Sequence, residues 1–392
     1  MSETAPGGGQ TPPPPASRGP LGLGFLLTPH GWPYLLVPAI PAAIALELTH
    51  SAAGIVFAAS ALGVIPTAAL MGRATEEVAA KSGPGIGGLL NVTFGNAPEL
   101  IIALFALNAG LHEVVKASII GSILGNILLV MGASMLAGGL TAGRKLQRFD
   151  RTAANVQSLM LFLAVAAMVM PAIFELVEGQ GLPGVDEDRV DFDAKVENLS
   201  LAVAIVLIAS YVGGLLFSLR THRDLFNPEQ EEKAHEGVHW SIRKSVIALA
   251  VAGIAVGVMS EILVGSIEAA SDSIGLSEFF IGVIVVAIIG NAAEHWVAVL
   301  VAIKDKMDLS VNIAIGSSAQ IALFVAPVLV IAAALGMGPG PMPLVFNGFE
   351  IAAIFLGVLV AYQVTNEGES TWFEGVQLLA LYAILGLTFY YA

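Results

Sequence analysis

From Trp32 onward the chain is a succession of apolar runs separated by short polar stretches, each run about twenty residues and so long enough to cross a bilayer as a helix. Inside hydrocarbon no water can satisfy the backbone amides, so only helices and closed barrels span it. The runs are continuous rather than alternating, which selects helices. They fall near 32–48, 51–71, 84–107, 114–140, 153–175, 199–219, 244–265, 278–303, 309–335, 345–363 and 373–391, about eleven in all. Charged residues make up 12% of the 392, against roughly 25% in soluble domains. The expected fold class is an all-α integral membrane protein.

The loops test that count. If the amino terminus is cytoplasmic, the inner side holds Arg18, Arg73, Lys81, Arg144, Lys145, Arg148, Arg151, Arg220, Arg223, Lys233, Arg243, Lys244, Lys304 and Lys306, which is 14 of the 17 Lys and Arg. The outer side keeps Lys116, Arg189 and Lys195. This asymmetry is the positive-inside pattern, and an error of one span would have mixed the two sets.

A second regularity divides the chain. At an offset of 195 residues, Gly95-Asn96-Ala97-Pro98-Glu99 returns as Gly290-Asn291-Ala292-Ala293-Glu294. Ala103 returns as Ala298, Ile120 as Ile315, and Gly121-Ser122 as Gly316-Ser317. Spans 2–6 and 7–11 are therefore copies, and because five is odd the second copy is inverted. The expected organisation is a Pro/Gly-rich disordered cytoplasmic tail (1–30), a first, peripheral transmembrane helix (31–50), and a first five-helix repeat (51–220). An acidic cytoplasmic linker (221–243) and a second five-helix repeat (244–392) complete it. Inverted repeats of this kind are a secondary-transporter architecture with the site at the repeat interface.

Glu99 and Glu294 lie well inside spans 3 and 8, too deep to snorkel to water. A carboxylate in hydrocarbon is costly and marks a site by default; packing alone could use glutamine. Gly95, Pro98 and Gly290 stand beside them. Proline removes a backbone donor, and loosened helices in transporters turn free carbonyls toward cations. Two carboxylates with carbonyls and water form the oxygen cage that Ca²⁺ takes. Burial also favours the protonated carboxyl in general, so the same groups can hold protons. His295 follows Glu294 directly, as a proton carrier or as a hydrogen-bonding partner. Ser122 and Ser317 follow their glutamates by 23 residues, and either line the same cavity or let helices pack closely.

These phrases, with Glu294-His295, Gly316-Ser317-Ser318-Ala319-Gln320 and the run Lys304-Asp305-Lys306-Met307-Asp308, resemble the alpha repeats of Ca²⁺/H⁺ antiporters of the cation/Ca²⁺ exchanger superfamily. The resemblance covers most of residues 51–391. It implies that Glu99 and Glu294 bind the cation, helped by the carbonyls of Gly95 and Gly290, while Asn96, Asn291 and Gln320 line the site. It further implies proton passage and gating for acids at the positions of Glu76 and Glu268, whose bland reading is solvated helix-end charge. One departure is Gly125-Asn126, where relatives often carry Ser-Asn, so a polar contact is expected to be missing there.

With no cysteine, thiolate metal sites and iron–sulfur clusters are excluded, and a net charge of −14 argues against nucleic acid. The expected activity is exchange of Ca²⁺ for H⁺ by alternating access, with no cofactor and Ca²⁺ as the transported ion. The rivals are exchange of Na⁺ or another divalent ion, a Ca²⁺ channel and an intramembrane metal enzyme. The expected setting is a bacterial inner (plasma) membrane, with the lipid bilayer as surroundings and a homo-oligomer left open. The acidic stretches around Asp186–Asp193 and Glu229–Glu232 lack the spacing of an EF-hand.

Overall fold

The computed structural model describes residues 31–82, 93–141, 146–185, 192–218 and 240–392, with 87, 90 and 143. The expected tail and most of the linker, including Glu229, Glu231 and Glu232, lie outside the described residues, as do Asp186, Glu187, Asp188 and Asp191.

A short turn, Trp32–Leu36, leads into α1 (Ala39–Leu48), and α2 runs from Ala53 to Ala79. Then come α3 (Ala97–Asn108), α4 (His112–Thr141), α5 (Arg151–Val177) and α6 (Ala194–Leu216). The second half holds α7 (Ile242–Gly265), the short α8 (Ile267–Ile274), α9 (Glu278–Ile303), α10 (Met307–Ala334), α11 (Gly348–Thr365) and α12 (Trp372–Tyr391). Among the described residues nine helices are long and apolar enough to cross a membrane, and Trp32–Leu48 and Ala97–Asn108 are shorter apolar helices. The sequence ended span 2 at residue 71; α2 continues two turns further, because Thr75, Glu76 and Glu77 extend the helix past the apolar stretch. Glu76 therefore sits within α2 rather than after it.

Helices α2 and α7 occupy equivalent places in the two copies and pack antiparallel. Gly54 of α2 faces Ser273 just beyond α7, Gly63 faces Met259, and Glu77 accepts the Trp240 backbone N–H at 2.9 Å where α7 begins. The indole of Trp240 lies under both Arg73 (5.0 Å) and Lys244 (4.6 Å), a double cation–π contact. The two copies thus run in opposite senses through the bundle.

Burial separates an inner layer from an outer one. Of the apolar window in α4, 83% is buried, and 72% in α10, against 22% in α6 and α12 and 28% in α7. Small residues permit this crowding. A side chain on Gly121 of α4 would overlap the Val283 carbonyl of α9, and a Cβ on Gly282 would meet Ala117 at 2.9 Å. Near the centre the Ser318 hydroxyl donates to the Ile123 carbonyl at 3.4 Å, so two residues related by the 195-residue offset meet each other.

Helices α4, α9 and α10 each contain a π-helical stretch: Gly125–Val130 in α4, Ile281–Val286 in α9 and Ile321–Val325 in α10. Such stretches loosen the backbone ladder and concentrate at functional sites. At one end of the bundle, β1 (Gln147–Arg148) pairs antiparallel with β2 (Glu369–Ser370). Gln147 also donates to the Met307 sulfur, and Asp308 accepts the Asp150 N–H. The Lys304–Asp308 run therefore fastens three connections together.

Gly282→Leu should overpack the α4–α9 contact and cost about 1–3 kcal/mol, lowering the melting temperature in detergent. Gly253→Ala, which meets nothing within 4 Å, should leave it unchanged or slightly raised.

Candidate functional site: crossed glutamates

The two glutamate phrases differ in backbone form. The first is broken: Asn96 leaves helical geometry at φ −99°, ψ 23°, and α3 starts afresh at Ala97 with Pro98 and Glu99 in its first turn. There the helix N-terminus favours negative charge. The second phrase lies on uninterrupted α-helix from Ala287 to Ile303. Its irregularity comes earlier, in the Ile281–Val286 stretch. The expected loosening at Gly290 is absent, because Ala293 stands where the first copy has Pro98 and the amide ladder closes.

The phrases cross. A methyl group on Gly290 would touch Glu99 Cγ at 3.3 Å, and one on Gly95 would lie 3.7 Å from Glu294 Oε1 and 3.9 Å from Gln320 Oε1. Each copy's glycine thus makes room for the other copy's carboxylate. Glu99 and Glu294 are close enough to feel each other's charge, and both are half-buried.

A polar ring surrounds the pair. The Ser317 hydroxyl donates to Glu294 Oε2 at 2.9 Å. Asn96 Nδ2 donates to Gln320 Oε1 at 2.5 Å, and Asn291 Nδ2 to Ser122 Oγ at 3.1 Å and to the Ala287 carbonyl at 2.9 Å. With both amide nitrogens engaged, the oxygens are left over. Among the described residues, Glu99 Oε2, Asn96 Oδ1 and Asn291 Oδ1 are buried without a hydrogen-bond partner. Buried acceptors are normally satisfied, and three such oxygens from equivalent phrases form a hard-ligand set suited to a cation or to protons. No group of three or more His, Cys, Asp and Glu is found among the described residues, so any cation held here leans on amide and backbone oxygens as well.

Position 125 corresponds to Gln320 by the 195-residue offset, and Gly125 brings no side chain. His295 takes the space: its Cε1 lies 3.8 Å from where a Gly125 Cβ would be, and its Nε2 pairs with Asn126 Oδ1 at 3.0 Å. The polar contact expected to be missing is thus supplied from the other copy. Asn126 as the partner of His295 had no signal in the sequence beyond its neighbour Gly125.

The two outlying acids are placed differently. Glu76, in the last turns of α2, is within electrostatic reach of Glu294. Glu268 is exposed on α8, whose Ser273 packs on Gly54 at the far end of α2. The structure therefore brings Glu76 to the pair and leaves Glu268 at the opposite end of the bundle. Lys116, read from the sequence as an exposed outer charge, is 1% exposed and ion-paired with Glu113. A Glu and a Lys three residues apart at the mouth of an apolar run were the available signal.

Comparison with known proteins accords with this architecture. The sequence pattern of the Sodium/calcium exchanger protein family matches residues 52–220 and 244–391. The Ca(2+)/H(+) antiporter ChaA of Bacillus subtilis (strain 168) is 43% identical over 361 residues, 91% of this chain and 98% of that protein. The Ca(2+)/H(+) antiporter of Synechocystis is 45% identical over 357 residues, covering 86% and 91%. Among solved structures, native YfkE superposes with a TM-score of 0.76 at 39% identity, covering 92% of this chain and 100% of that one. The H+/Ca2+ exchanger CAX shares the fold at 15% identity with a TM-score of 0.69. The chain belongs to the sodium/calcium exchanger protein family.

Proposed function

We propose that the chain exchanges Ca²⁺ for H⁺ across a bacterial inner membrane, with Glu99 and Glu294 as the shared site. The observation that carries this reading is the crossing of the two phrases with three buried, unpartnered oxygens between them. The relatives named as Ca(2+)/H(+) antiporters support the choice of ions.

Charge bookkeeping supplies the coupling. Two carboxylates with one Ca²⁺ are neutral, and two carboxylic acids are neutral as well. The empty pair carries two like charges in low dielectric, which is strongly unfavourable. Loaded states cross and the empty one does not, so exchange is obligatory. Of the glycine carbonyls, that of Gly95 stands at the helix break and is better placed to assist than that of Gly290. Asn96, Asn291, Gln320, Ser122 and Ser317 line the site. Glu76 passes protons on one side, Glu268 stands at the other entrance, and His295 holds α4 through Asn126. Alternating access consists of α2 and α7 rocking or sliding as a pair over the inner helices, with α1 peripheral. The amino terminus is cytoplasmic.

In proteoliposomes with a pH dye and no Na⁺, Glu99→Gln or Glu294→Gln should each abolish Ca²⁺-driven proton movement while the protein still elutes as a folded species. Robust exchange in either variant would sink the two-carboxylate site. A Na⁺ gradient at clamped pH should drive no Ca²⁺ flux, and Ca²⁺ leak without proton movement would mean a channel.

Ser317→Ala removes one hydrogen bond to a charged carboxylate, worth about 1.5–3 kcal/mol, so apparent Ca²⁺ affinity should fall roughly 10- to 100-fold by the usual 1.4 kcal/mol per decade. Acidifying the Ca²⁺-loading side should also weaken apparent affinity, because protons occupy the same oxygens. With both carboxyls competing as one coupled pair, the loss approaches about a hundredfold per pH unit at its steepest. A pH-independent affinity, measured by Ca²⁺ titration of uptake, would contradict shared occupancy.

A further inference from the structure

A second set of ionisable groups lies buried away from the exchange pair, where α4 and α11 begin. Glu113 and Lys116 of α4 form an ion pair, with only 5% and 1% of their surface exposed. Lys116 Nζ also donates to the Val345 carbonyl at 3.1 Å and stands 5.9 Å from the Phe192 ring centroid. Glu350 of α11 is fully buried and within electrostatic reach of both Glu113 and Lys116. One of its oxygens accepts the Asn347 backbone N–H at 2.9 Å, in a reciprocal cap with the Asn347 side chain. The other, Oε1, is buried and has no hydrogen-bond partner.

The charges do not balance. Glu113 and Lys116 cancel, so an ionised Glu350 would leave a net negative charge in an apolar setting, with one oxygen lacking any donor. An unpaired buried charge is among the most expensive features a protein can carry. A proton on Oε1 removes the charge and turns the orphan acceptor into a donor within electrostatic reach of Glu113. Further titratable groups at this end are His112, 2% exposed at the start of α4, and Glu175, 1% exposed near the end of α5, with Asp193 and Lys195 exposed and Glu197 half-buried where α6 begins. Helices α5 and α11 pack antiparallel, with Ser158 bonded to Thr365 at the other end at 2.9 Å, which puts Glu175 level with Glu350. Glu175 adds to the negative excess or leaves it unchanged, and a cationic His112 would offset it only by adding a further buried charge, so neither does at equal cost what a proton on Glu350 does.

We infer that Glu350, Glu113 and Lys116 form a second protonation site, separate from the crossed glutamates, that takes one proton from the end of the bundle opposite Trp240. On protonation an O–H bond forms at Glu350 Oε1, and the site passes from net negative to neutral. Its reach to transport runs along α4: Ser122, the partner of Asn291, follows Lys116 by six residues, about 9 Å at 1.5 Å per residue. That coupling rests on the exchange reading above, whereas the proton site itself does not.

The test separates the two. Infrared pH titration of the full chain in liposomes reads protonated buried carboxyls directly. In a Glu99→Gln/Glu294→Gln background, which removes the exchange pair, one titrating carboxyl band should remain, and adding Glu350→Gln should abolish it. Glutamine keeps an acceptor for the Asn347 N–H. With the pair intact, Glu350→Gln should shift the pH midpoint of exchange, read from that end, by about one unit or more. No remaining band, or a band untouched by Glu350→Gln, overturns the site. A lost band with an unchanged pH profile overturns only the coupling, and absence of Ca²⁺/H⁺ exchange in the unaltered protein would strike the exchange reading alone. Should Glu350→Gln fail to fold, a Glu99→Gln/Glu294→Gln/Glu175→Gln variant decides: a titrating band supports the site, and none overturns it.

Discussion

The structure depends on the cost of holding two carboxylates side by side in a low-dielectric interior. Two ionised carboxylates left together there would repel at high cost, and the contacts around them bear on that cost. Crossing the phrases lets each glycine seat the opposite glutamate. The amide nitrogens of Asn96 and Asn291 are tied to Gln320 and Ser122, which leaves their buried oxygens without a hydrogen-bond partner.

Duplication brought near-symmetry, and the departures from it are informative. One phrase breaks its helix while the other stays continuous, a difference that follows from Pro98 against Ala293. Gln320 faces Asn96 in one half, whereas Gly125 leaves room for His295 in the other. One half thus supplies a free helix start to the site and the other a rigid rod. The two halves thus differ in their electrostatic surroundings, with Glu76 near the pair and Glu268 far from it.

Much of this was legible in the residues, because hydrocarbon permits few solutions. Apolar runs gave the helices, and a 195-residue echo marked the two phrases that cross in the structure. Length was misjudged where polar residues carry a helix past the apolar zone, as at Glu76. The Glu113–Lys116–Glu350 cluster was missed because Lys116 read as an outer charge, although Glu113 and Lys116 stand at the mouth of one apolar run and Glu350 inside another. Only the packing of α4 against the 342–347 connection, where Val345 accepts the lysine, reveals that they are inside. The π-helical stretches left no trace in the pattern either, since a one-residue bulge does not disturb an already uniform apolar run.

The bond between Ser318 and the Ile123 carbonyl joins positions that are the same residue counted twice. Such a meeting occurs only near the pseudo-two-fold axis that relates the copies. A substitution at Ser318 or Ile123 therefore touches both halves at once, whereas a substitution elsewhere falls on one half and leaves its counterpart intact.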